Sequence, residues 1–326
     1  MLQIESFFVG GDRIVTSGEQ IQDIRFTRSL PSFPVDPNGT QHINQAYVQS
    51  FISSDFPRCP VILQHGGGMT GAMWENTPDG RSGWLNYFIH EQFPTFVIDG
   101  VARGRSGWPV SQLEELGKPL GRTEEEAWKL FRFGMADMFE SKTGFNELRF
   151  PIDYLNKFSA QFVPRWIDHQ VQNKRAMLEL LDRTGPAITV AHSHGAECVL
   201  AAAEQMPEKV KAIILIEPSK LPVKVDFLAE HKIPLLIVNG DYMDISSLWR
   251  HLAAGYKRVQ ESVVNAGGDA TIFNLNEEIG RGFSHMLMMD DGNELVFWAI
   301  CDWLEKRGLF TSEFSTSKCT IKYKSK

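Results

Sequence analysis

The chain has 326 residues, of which 43% are hydrophobic and 22% charged, a balance that excludes disorder and collagen-like repeats. Thirty-three basic residues face 40 acidic ones, and the formal net charge of −7 disfavours a nucleic-acid partner. Apolar runs such as 212–216 and 234–238 fall well short of the ~20 residues of a membrane span, so no membrane partner is expected either.

The first sixty residues read as short extended pieces: Phe7-Phe-Val, Arg13-Ile-Val-Thr, 21–26 and 45–52. Gly10-Gly11 and Pro37-Asn-Gly punctuate them, which predicts antiparallel hairpins. The opening Met1-Leu-Gln-Ile-Glu-Ser-Phe-Phe has no basic region followed by a long apolar one, so a cytoplasmic location is expected. From residue 60 the texture changes. Continuous apolar runs at 61–64, 95–98, 187–190, 212–216, 235–238 and 271–275 alternate with helical periods near 84–92, 196–205, 247–266 and 293–306. That alternation predicts an α/β fold with a mainly parallel sheet covered on both faces. The gap over 109–184 is too long for an ordinary crossover and reads as a helical cap inserted into one domain. The four cysteines, Cys59, Cys198, Cys301 and Cys319, form no CxxC and read as free thiols. The stretch 310–326, with Lys318, Lys322, Lys324 and Lys326, reads as a solvated, flexible basic tail.

Chemistry concentrates at strand ends. Ala191-His-Ser-His-Gly195 lies between a strand and a helix, with small residues on either side of Ser193. This spacing fits a nucleophile elbow, although an N-cap serine would also suit such a junction. His285, after the last strand, follows the serine–acid–histidine order of such enzymes. His192 and His194 are expected to turn away at the elbow, and no metal site is expected because a third ligand at suitable spacing is missing. Two carboxylates compete for the acid. Glu217 and Asp241 both follow strands, and on residue pattern alone the later strand favours Asp241. The glycine-rich loop His65-Gly-Gly-Gly68 should supply backbone oxyanion donors from Gly67 and Gly68, with His194 N–H as the other. That same loop also satisfies G-x-G-x-x-G over 66–71, with Asp99 ending the next strand, so a dinucleotide-binding oxidoreductase is a remote alternative. Pro78, Gly80 and Gly83 argue against the long helix such a site requires.

The sequence resembles a serine α/β-hydrolase, and more narrowly a bacterial esterase family typified by an Alcaligenes esterase. The matching pieces are Ser6-Phe-Phe-Val-Gly-Gly11, Trp74-Glu-Asn-Thr-Pro-Asp-Gly-Arg81, Ala127-Trp-Lys-Leu-Phe-Arg-Phe-Gly134, Ile216-Glu-Pro218 and Ser284-His-Met-Leu-Met-Met-Asp290. The resemblance implies an α/β-hydrolase fold with N-terminal antiparallel strands and a helical cap, no cofactor, and a homodimer. It also implies that the acid is the glutamate of Glu-Pro, which shifts the expectation from Asp241 to Glu217. The expected reaction is hydrolysis of a small ester, lactone or thioester through an acyl-enzyme on Ser193, with His285 as base. A non-hydrolytic or carbon–carbon-bond reaction on a biosynthetic intermediate could use the same triad. Trp128, Phe131, Phe133, Phe158, Phe162 and Trp166 in the cap could wall an acyl pocket, although packing onto the main domain is the expected role of most of them.

Overall fold

The computed structural model describes residues 1–166, 168–222 and 225–311. Residues 312–326, which carry most of the basic stretch and Cys319, lie outside the described residues.

Among the described residues ten strands form: β1 (Gln3–Thr16), β2 (Gln22–Ile24), β3 (Phe33–Val35), β4 (Gly39–Ile52), β5 (Val61–Gln64), β6 (Thr95–Asp99), β7 (Ala187–His192), β8 (Val210–Ile216), β9 (Leu235–Asn239) and β10 (Ala270–Asn274). Eight of them make one sheet in the order β1-β4-β6-β5-β7-β8-β9-β10, while β2 and β3 pair separately. The pairs β1–β4 and β4–β6 are antiparallel, and every pair from β6–β5 to β9–β10 is parallel.

The two-sided burial of the parallel strands follows from their period of two. Val61, Leu63, Ile188, Val190, Ile214, Leu236 and Val238 enter one core, against the helices Trp84–His90 and Asn293–Glu305. Ile62, Ala187, Ala191, Ile213, Leu215, Leu235 and Ile237 enter the other, against the helices Gln170–Thr184, Gly195–Gln205 and Ser247–Asn265. Among the described residues no helix is long and apolar enough to cross a membrane, and Cys59, Cys198 and Cys301 are free thiols.

Two sequence expectations are refined. Gly10-Gly11 does not end a strand: β1 runs straight through it, kinked where Gly10, Gly11 and Asn44 on β4 all take positive φ. A Cβ at Gly10 would stand 3.2 Å from Ala176, so the glycine lets the helix Gln170–Thr184 close onto the sheet. That helix lay within the expected cap, 109–184. Its Ala176, Met177, Leu180 and Leu181 are instead buried with Val9, Ala46 and Val48, which makes it a sheet-covering helix. The stretch before it, to about residue 169, is built from short helical turns. Its Trp128, Phe131, Phe133 and Phe158 join the first core, with Phe133 stacked on Phe150 at 3.9 Å between ring centroids.

Candidate active site

The carboxyl ends of β5, β7 and β8 converge on a cavity of about 210 Å³. Ser193 sits between β7 and the helix Gly195–Gln205 with φ +50°, a left-handed conformation that non-glycine residues rarely take. Its N–H donates to Ile216 O at 2.9 Å, and its carbonyl accepts from Ala196 and Ser219 N–H. The sharp reversal demands small neighbours. A Cβ at Gly195 would come within 2.5 Å of His65 O, and one at Gly66 within 2.5 Å of His192 Nδ1. The loop 65–68 is fixed in turn by His65. Its Nδ1–H donates to Gly66 O and its Nε2 accepts from Gly100 N–H, both at 2.8 Å. Burial drives the imidazole neutral, to a pKa of about 4.

His285 is buried against Phe131, His192 and Trp249, and its N–H is held by Phe131 O at 3.0 Å. Its Nδ1 lies 2.6 Å from Glu217 Oε2. Burial lowers the pKa of the imidazole, opposed by the hydrogen bond and charge of Glu217 and reinforced by Arg132 and Arg122. Glu217 is fully buried at the end of β8, with φ +44°. Burial would raise its pKa, but the positive charge of Arg132 and the bonds from His285 and Arg132 bring it down to about 2. Gly240 N–H donates to Oε1 at 2.6 Å.

Asp241, the other carboxylate, is spent elsewhere. Oδ1 accepts from Tyr242 N–H, and Oδ2 from Gly282 N–H and Arg281 Nε, so it fastens the loop that leads into His285. His192 does not turn wholly away as expected. It borders the cavity and donates from Nε2 to His285 O at 3.1 Å, while burial holds it neutral. Gly67 and His194 border the same cavity as Ser193 and His285. Gly68 lies one residue further on, at φ +74°, its carbonyl accepting from Val163 N–H. Of the cap aromatics, Phe131 and Trp166 line the cavity, whereas Trp128, Phe133 and Phe158 are buried in packing.

The dinucleotide alternative does not survive this geometry. After β5 the chain enters a short turn at Gly71–Trp74, not a long helix. The carboxylate of Asp99 accepts from Gly71 N–H, Arg105 N–H and Arg105 Nε, which pins the loop it was expected to face.

One residue escaped the sequence reading. Arg132, fully buried at φ +63°, grips Glu217 with both terminal nitrogens, donates from Nε to Asp241 O at 2.7 Å, and lies over the Trp249 ring at 4.1 Å. Its only signal was a lone cation inside an aromatic run, Leu130-Phe-Arg-Phe133, easily read as a solvated arginine.

A family model described as alpha/beta hydrolase fold matches residues 60–268, and the chain belongs to that family. The atomic-resolution structure of a novel bacterial esterase superposes with a TM-score of 0.79 and 28% identity, covering 93% of this chain and 95% of the other. A "Probable secreted lipase phiG" from a fungus is 27% identical over 187 residues, 54% of this chain, and the match spans about half the length of that relative, 50%.

Proposed function

We propose that this chain is a serine hydrolase acting on carboxylic esters through an acyl-enzyme. One observation carries the reading: Ser193 on its strained turn shares a cavity with His285, whose Nδ1 is bonded to a buried, ionised Glu217. The esterase and lipase likenesses support the same class of reaction.

In this mechanism Ser193 Oγ attacks the ester carbonyl as His285 Nε2 takes its proton. Glu217 accepts the Nδ1–H, so it fixes the tautomer and stabilises the imidazolium. Backbone N–H groups of Gly67 or Gly68 and of His194 receive the developing oxyanion, aided by the positive end of the following helix. His285 then protonates the departing alcohol and activates water to release the acid. Arg132 does not touch substrate. It positions Glu217 and keeps it charged. The Phe131 ring packs against the imidazole, and its carbonyl accepts from the main-chain N–H of His285.

The test is intact-mass analysis after treatment with a fluorophosphonate, followed by peptide mapping. A single adduct on Ser193, absent in Ser193→Ala, is expected, together with turnover of simple p-nitrophenyl esters. No adduct on folded protein, or an adduct that persists in Ser193→Ala, would sink the assignment.

A further inference from the structure

The same cavity holds two arginines that the mechanism does not use. Arg122 and Arg165 line it beside Gly67, Ser193 and His194. The side chain of Arg122 is only 4% exposed, yet its Nε and Nη1 are buried without a hydrogen-bond partner among the described residues, as is Nη1 of Arg165. Two of these orphan donors, Arg165 Nη1 and Arg122 Nε, meet beside Gly68, next to the cavity-lining Gly67. A Cβ at Gly68 would stand 3.1 Å from Arg165 Nη1 and 3.3 Å from Arg122 Nε. The remaining partners are few: Arg122 Nη2 donates to Gly67 O at 3.3 Å, and its guanidinium lies 4.6 Å from the Phe131 ring centroid. Both guanidiniums share one carboxylate, the half-exposed Glu126, at 3.7 and 3.5 Å. Arg103 adds a third nearby cation, its donors spent on Ala102 O and Trp166 O.

Orphan buried donors carry a desolvation penalty that a matching acceptor removes, and guanidinium forks match carboxylates. Arg122 and Arg165 against the single carboxylate of Glu126, with Arg103 nearby, leave positive charge uncompensated. A neutral ester would supply only weak carbonyl acceptors. We infer that Arg122 and Arg165 form a subsite for a carboxylate carried by the substrate, so that the esters cleaved at Ser193 are monoanions such as half-esters of dicarboxylic acids.

This inference rests on the hydrolase reading for its turnover arm and is independent of it for binding. In the turnover arm, mono(p-nitrophenyl) glutarate is compared with p-nitrophenyl pentanoate, which places the charge in the acyl part. For the alcohol part, 4-(carboxymethyl)phenyl acetate is compared with 4-ethylphenyl acetate. One anionic member should exceed its neutral partner in kcat/KM by about tenfold or more, and Arg122→Gln or Arg165→Gln should erase most of that ratio, mainly through KM. In the binding arm, monomethyl glutarate and dimethyl glutarate are titrated calorimetrically into Ser193→Ala. Only the monoanion should bind, and adding Arg122→Gln or Arg165→Gln should weaken it.

Equal rates for charged and neutral esters, or arginine variants that slow both alike, would overturn the subsite, the second result assigning the arginines to the reacting carbonyl. Fluorophosphonate labelling of Ser193 with no charge preference leaves the hydrolase and removes the subsite. Binding of monomethyl glutarate without labelling does the reverse. Should Arg122→Gln fail to fold, Arg165→Gln decides, its side chain being 20% exposed.

Discussion

Two arginines approach the cavity beside Ser193 and are treated oppositely. Arg132 is saturated: Glu217, the Asp241 carbonyl and the Trp249 face use its whole guanidinium. Arg122 is buried nearly as deeply, but two of its nitrogens find no hydrogen-bond partner among the described residues. A buried charge paired inside the fold is machinery that is always present. A buried charge left short of partners is better explained by a partner from outside. Burial alone therefore does not distinguish structure from recognition, whereas the balance of donors and acceptors does.

The sharpest way to break this comparison begins at the saturated end. Glu217→Gln should lower kcat by up to about 10⁴-fold, because the imidazole loses both its tautomer and its counter-charge, while Asp241→Asn should cost far less. If steady-state kinetics gave the reverse ranking, Asp241 would be the acid. Arg132→Met strands an ionised Glu217 and should cost about 3–5 kcal/mol in urea unfolding, with much of it regained when Glu217→Gln is added. Equal losses in the single and double variants would show that Arg132 merely fills space. By contrast, Arg122→Met removes a poorly paired charge and should change stability by less than about 1 kcal/mol, or raise it. A loss as large as that at Arg132 would mean the two arginines are alike after all.

The remaining predictions concern pH. The folded-state pKa of Glu217, about 2, is depressed, so its contribution to stability is present above the ordinary carboxylate range and is lost as pH falls from about 4.5 toward 2. Asp290 has the opposite sign. Burial lifts it to about 7 despite two bonds from Ser284, so its contribution is full below about 3.8 and is lost as pH rises through 7. Unfolding measured across pH should lose the second slope in Asp290→Asn. Since burial depresses His285, the acid limb of kcat/KM should fall below 6.5.

Much of the frame was legible because its physics is local. Continuous apolar runs mark strands covered on both faces, and small residues around Ser193 mark the turn. The partner of His285 was not legible from pattern alone, since Glu217 and Asp241 occupy equivalent places after β8 and β9; what separates them is that the Glu217 carboxylate reaches the His285 ring. Arg132 was hidden because its partners lie 85 and 109 residues away in sequence. The end of the inserted stretch was misplaced for the same reason. A periodic helix over 170–184 shows that it has an apolar face but not which surface that face covers.

The short stretch Phe131–Phe133 has a consequence for motion. Phe131 O holds His285, Arg132 holds Glu217, and Phe133 O accepts from Phe145 N–H. Swinging this stretch outward would release the imidazole and leave an anion buried without its counter-ion, so an opened form could not also be a competent one. Substrate exchange must then proceed while these residues stay in place, with breathing confined to other parts of the inserted segment. Amide hydrogen exchange should find His285 N–H, which is bonded to Phe131, among the slowest to open in the cavity wall.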